Sequence, residues 1–246
     1  MTVRGTSRRR TAPWIAAVAL SAVLPALPSC ETSGRGDGLV QVNDFMTMVE
    51  RVHTDAELSA QKVHEASEQF STILAFNFDE PPVAAYNRFG SAVDAETQQL
   101  NQFRSSIDAM KRAAEPVFKK WAADLETFDS FEMRTRSQNR LMETRKRYEA
   151  ILAAAQPAEM AYTTFDKKMR DYATFLSHDF NEAAVAMLRG DAGAVKEGAV
   201  ALNGHFDACQ LAAREYVQAS AMPSAPVQPE PAAERAPAKK SGRSGG

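Results

Sequence analysis

The sequence predicts an all-α chain: an elongated antiparallel helical bundle of coiled-coil type, spectrin-like, with about three long helices and a shorter C-terminal helical pair. Three observations predict it. Of the 12 prolines, five (Pro223, Pro226, Pro229, Pro231 and Pro237) lie in the last stretch and three lie before Cys30. The middle that remains is rich in Ala, Gln, Glu, Lys, Arg and Met, which favour helix. Apolar residues recur there in alternating steps of three and four, the signature of a helical seam. Strand signals are missing, because neither Asp37-Gly38 nor Asn203-Gly204 separates two alternating segments.

Residues 1–29 read as a leader. Arg8, Arg9 and Arg10 are followed by an apolar stretch from Ala12 to Leu27, broken by Pro13, Ser21 and Pro25. A spanning helix needs about 20 apolar residues, so this segment fits secretion instead. Leu27-Pro28-Ser29-Cys30 resembles a lipobox, with an aliphatic residue at −3, a small one at −1 and the Cys that receives diacylglycerol. Pro28 departs from the small residue usual at −2. Cys30 is therefore the expected lipidation site, with palmitate among its acyl chains. The alternatives are an ordinary cleaved leader with an incidental Cys and a retained signal anchor. Glu31 follows the Cys. Asp at that place is an inner-membrane cue in some bacteria, so Glu31 favours the outer membrane.

Residues 30–40 are Gly-rich and polar and read as a flexible tether. Residues 41–220 read as the helical domain. A first helix is expected from Asn43 to Phe76, with its seam at Val49, Val52, Ala56, Ser59, Val63, Ala66, Phe70 and Ile73. Pro81 and Pro82 stop it and start the next. The second helix is expected from Pro82 to Phe128, along a seam of thirteen positions from Tyr86 through Phe103 to Phe128. Glu96 and Asp124 are its only acidic members, and Pro116 should bend it. Ser130 is a plausible N-cap for the third helix, whose seam runs from Leu141 to Leu176 and contains Pro157. A turn at His178-Asp179-Phe180-Asn181 leads to a short helix, Glu182 to Arg189. A last helix follows along Val195, Leu202, Phe206, Cys209, Ala213 and Tyr216. Residues 221–246 are Pro/Ala-rich with a basic end (Lys239, Lys240, Arg243) and read as a disordered tail.

The formal net charge is −2, and residues 1–29 hold four arginines and no acid, so the remainder carries −6. Nucleic-acid binding, which calls for a basic excess, is not expected. Residues 37–80 hold nine acids and two bases, and residues 131–150 hold six bases and three acids, so these two segments are expected to pair. Glu50-x-x-His53 matches half of a di-iron bundle motif, but no second copy exists. His178 reads as an organiser of its turn. Cys209 reads as a small buried hydrophobe. Trp121, Tyr148, Tyr162 and Tyr172 read as core. The basic run from Arg134 to Arg147 reads as a solvated or intramolecular face, with binding of envelope phosphates as the alternative. No catalytic, cofactor-binding or metal residue is assigned.

Three blocks resemble a known family. They are Phe118-Lys-Lys-Trp121-Ala-Ala-Asp124-Leu125, Thr144-Arg145-Lys-Arg147-Tyr148 and Phe175-Leu176-Ser-His178-Asp-Phe180-Asn181. Together they are similar to a family of uncharacterised proteobacterial lipoproteins, a domain of unknown function (number two-nine-five-nine). Its members carry Glu where Asp124 stands, Lys at Ser177, Asn at Asp179 and Leu at Phe180. The resemblance implies an exported lipoprotein with an elongated helical domain and implies no activity.

The resulting expectation is a membrane-anchored, non-enzymatic structural or protein-interaction module on the periplasmic face of an envelope membrane. Its expected partners are the membrane itself, through the lipid, and an envelope protein or a second copy. The alternative is a lipid or small-molecule carrier, with room left by Ala56, Ser59, Ala66, Ala155 and Ala158. No cofactor other than the covalent lipid is expected.

Overall fold

An apolar seam on a helix must find a partner to leave water, and here four long seams share one core. The computed structural model describes residues 37–79 and 81–220. It contains α1 (Asp37–Leu74), α2 (Pro82–Asp124), α3 (Phe131–His178), α4 (Glu182–Leu188) and α5 (Ala192–Ser220). Short 3-10 turns at Leu125–Thr127 and Arg189–Asp191 complete the connections. The described residues contain no strand.

The helices alternate in direction around the core in the ring order α1, α2, α3, α5. Ring contacts fix the levels. Phe70 meets Phe89 and Phe45 meets Phe118, so α1 and α2 are antiparallel. Arg104 reaches Glu159 and Thr97 reaches Asp166, so α2 and α3 are antiparallel. Phe45 meets Tyr216, which sets α5 against α1. α5 is thus a full fourth member of the bundle. One end of the bundle gathers the start of α1, the α2–α3 connection and the end of α5. The opposite end gathers residues 75–79, 81 and 179–191.

The seams bury as expected. All eight α1 positions are buried, and Phe45 extends the seam by one step. In α2 the positions from Phe89 to Val117 are buried, while Tyr86, Trp121, Asp124 and Phe128 are half-buried at its ends. Every α3 position is buried except the half-buried Tyr148. In α5 all six expected positions and Ala199 are buried. Pro116 and Pro157 lie inside continuous helices. Each costs a backbone hydrogen bond, freeing the carbonyls of Arg112 and Ala153. Both prolines and both carbonyl-bearing residues are on exposed positions, where water can take the lost bond.

Several boundaries and pairings differ from the sequence reading. α1 begins at Asp37, so residues 37–40 are helix and not part of a tether, while residues 30–36 lie outside the described residues. Gly38 weakens a helix signal, yet the helix includes it, and a Cβ added there would lie 3.5 Å from the Lys120 side chain of α2. α1 and α3 stand diagonally, and the acidic and basic segments do not select each other. Exposed pairs contribute only ~0–1 kcal/mol, whereas seam geometry buries whole side chains. His178 does not organise its turn; its side chain is exposed and makes no hydrogen bond among the described residues. Asn181 does so instead: its Oδ1 accepts from the Ala184 amide at 2.9 Å, and its amide donates to Asp179. Asn181→Ala should therefore cost about 1 kcal/mol of stability, read as a lowered midpoint in denaturant, while His178→Ala should cost nothing measurable. Ser130 caps α3 as expected, accepting from the Met133 amide at 3.3 Å.

At the opposite end Phe78 has φ 62°. A non-glycine residue in that region costs roughly 1–2 kcal/mol. The Phe78 ring offsets this by meeting Phe76 at 4.8 Å and Phe180 at 5.4 Å, closing that end with three aromatic rings.

Candidate functional site

Two features stand apart from ordinary seam packing: a polar cluster inside the bundle and the surface of the end where α1 begins.

The polar cluster lies at mid-height. Glu96 occupies a seam position of α2 and has 0% exposure, and neither carboxyl oxygen has a hydrogen-bond partner. Its backbone carbonyl accepts from the Tyr162 hydroxyl at 2.8 Å. Beside it on α3, Asp166 is also buried and accepts from Thr97 Oγ1 at 2.5 Å and from Arg170 at 2.5 Å. Burial pushes the Glu96 carboxyl up to about 8, with the neighbouring Asp166 charge adding to the shift and Arg170 opposing it. Burial also raises the Tyr162 phenol, and Glu96 and Asp166 raise it further. A carboxyl that keeps its proton near neutral pH is chemically distinctive. Yet nothing reaches a group with no exposed surface, so this arrangement holds a proton and presents no acid to a substrate. A seam reading finds Glu96 but misses Asp166, which sits one residue after Phe165, and Asp55, one before Ala56.

The other sequence-derived candidates are dispersed. Cys30 and the basic tail lie outside the described residues. His53 lies 3.3 Å from Arg214, in a shallow groove of about 440 Å³ between α1 and α5 that Glu50 also lines. Among the described residues no group of three His, Cys, Asp or Glu side chains could hold a metal ion. Cys209 is fully buried, and burial raises its thiol to about 12. Asp124 is half-exposed and pairs with Lys120 at 3.1 Å. The five small seam residues are all buried, and the nearby Phe206 ring meets Phe103 at 5.5 Å and Tyr162 at 5.3 Å.

The basic run on α3 is mostly local in its contacts. Arg134 donates to the Phe128 carbonyl, Arg136 pairs with Glu132 one turn away, and the Arg145 guanidinium lies 5.4 Å over the Phe118 ring. Arg140 and Lys146 are exposed, with no ion-pair partner among the described residues.

A family described as a protein of unknown function (DUF2959) matches residues 38–219. The chain belongs to that family. No curated protein and no solved structure matches it. The DUF2959 region begins one residue after α1 starts and ends one before α5 stops, so the family is the bundle itself. Two of the blocks quoted above meet near the end where α1 begins. Phe118 and Tyr148 lie 5.4 Å apart, Phe45 lies 5.7 Å from each, and Tyr216 lies 5.3 Å from Phe45. These rings tie α1, α2, α3 and α5 together, while Trp121 Nε1 donates to Ser137 at 2.9 Å. The third block forms the opposite end: Leu176 is buried, Phe180 joins the aromatic trio and Asn181 caps α4. These contacts give the block residues structural work in the DUF2959 bundle.

Proposed function

We propose that this protein is an exported lipoprotein whose bundle is a non-enzymatic spacer or protein-interaction module of the cell envelope. It is held by Cys30 on the periplasmic face of a membrane, the outer one by the reading of Glu31. The observation that carries the proposal is the leader ending in Leu27-Pro28-Ser29-Cys30 immediately ahead of a DUF2959 bundle with long closed seams. The inward polar cluster is sealed from solvent, which favours a structural role over a catalytic one. Helix α2 has 43 residues, about 65 Å at 1.5 Å per residue. Such a rod places its far end well clear of a bilayer surface.

Metabolic labelling with a clickable fatty acid tests the anchor. The wild-type protein should take the label and partition with membranes, and Cys30→Ala should lose the label and move to the soluble periplasmic fraction. A wild-type protein that stays unlabelled would overturn the anchored reading.

A further inference from the structure

The end of the bundle where α1 begins carries apolar side chains that the core does not use. Leu39 and Val40, in the first turn of α1, are 76% and 59% exposed. Phe131, the first residue of α3, is 82% exposed, and Met133 is 49% exposed. Gly38 approaches Lys120 near the end of α2, and from there the chain runs through the 125–130 connection directly into Phe131. Phe45 stands level with Tyr148 and Phe70 with Tyr172, so Leu39 and Val40 stand level with the part of α3 near Leu141, and Phe131 projects beyond them by roughly 15 Å at 1.5 Å per residue. Large apolar side chains left in water at a projecting tip suit a surface that something else covers.

The chain itself indicates the cover. Six residues separate Cys30 from Asp37, a reach of at most about 25 Å when fully extended. On the reading that Cys30 is acylated, on which this inference rests, the bilayer surface lies within that distance of the first turn of α1. The charges at this end suit it. Lys119 and Arg140 are exposed and have no ion-pair partner among the described residues, leaving both cations for lipid phosphates. The acids Asp124 and Glu132 are already paired with Lys120 and Arg136. Glu126 and Asp129 in the connection are exposed, so contact at the depth of the headgroups suits this end better than deep insertion.

We propose that this end of the bundle rests on the bilayer that holds the lipid, with Phe131 and Met133 at the projecting start of α3 entering its interfacial layer and Arg140 and Lys119, set back from that tip, facing the phosphate headgroups. Lipid on Cys30 and apolar contact at the bundle end then act as two attachments at one place, which a single flexible leash would not provide. The bundle stands on the membrane, and residues 75–79 and 179–191 point away from it.

Depth-dependent quenching tests this. Trp121 is the only tryptophan after the leader, so Trp121→Phe gives a silent background. In that background the mature lipoprotein carries either Phe131→Trp or, at the opposite end, Val83→Trp, where the native side chain is 68% exposed. Each protein is reconstituted into phosphatidylethanolamine and phosphatidylglycerol vesicles with brominated acyl chains. The Phe131→Trp probe should shift to the blue and lose emission to bromine, while the Val83→Trp probe should do neither. Equal quenching of the two probes would overturn the proposal. So would a blue shift at position 131 without bromine quenching, which would mean that a second copy or another protein covers this end. Helical circular dichroism matching the wild type qualifies each preparation, and Met133→Trp replaces Phe131→Trp if the latter disturbs the fold. A fatty-acid label separates the two readings. Labelled protein without quenching overturns the membrane contact and leaves the anchor standing, whereas unlabelled protein overturns both.

Discussion

Glu96→Gln is expected to stabilise the bundle by an amount that grows with pH. The folded carboxyl titrates near 8 and the ordinary value is 4.5. Below the ordinary value the residue is protonated in both states, and the gap between the two proteins should not change with pH. As pH rises from there toward 8, the unfolded chain releases the proton and the folded chain keeps it. The wild-type protein loses about 1.4 kcal/mol per pH unit from this group alone. The loss is complete above the folded value and amounts to roughly 4–5 kcal/mol. Gln does not titrate, so the gap between variant and wild type should open across this window and then level off. Denaturant unfolding of both proteins at about pH 5, 7 and 9 reads it. The change in the gap with pH is the decisive quantity, because a buried Gln amide would also lack partners and shifts the whole curve by a constant. Parallel pH profiles would show that Glu96 ionises freely in the folded state.

A polar seam position of this kind is legible in the sequence, but its surroundings are not. The step pattern marks Glu96 as inward because Val93 and Leu100 flank it at the right spacing. It does not mark Asp166, which the four-fold ring buries beside Glu96 because α2 and α3 are adjacent at that level. Periodicity gives each helix its inner face and says nothing about which helix stands next to which. For the same reason the acidic α1 and the basic start of α3 looked like partners and are diagonal. The start of α1 was hidden by Asp37-Gly38, since local propensity there argues for a loop. The turn at residues 178–181 was found, but its organiser was not. A capping Asn is recognised by the amide three residues on, so Asn181 with Ala184 was the available signal.

The role of α5 shows how far periodicity can be trusted once its neighbours are known. Three glycines, at positions 193, 198 and 204, make this helix the weakest in propensity terms, each costing about 1 kcal/mol against Ala. The described structure offsets that cost with side chains that enter the core between α1 and α3. Phe206 is fully buried, edge-on to Phe103 at 5.5 Å and to Tyr162 at 5.3 Å. Small residues Ala56 and Ala158 are buried along the same core. Phe206→Ala should therefore cost about 3–5 kcal/mol, the upper range for an aromatic truncation that leaves a cavity. Val200→Ala, on the exposed face of the same helix, should change stability by less than about 0.5 kcal/mol. Denaturant unfolding monitored by circular dichroism gives both values, and Trp121 fluorescence reports the end of the bundle where α1 begins. The two signals should fall together in Phe206→Ala, because a cavity between α2, α3 and α5 weakens a single cooperative core. A loss of helical signal with Trp121 unmoved would mean that α5 is a detachable accessory to a three-helix core.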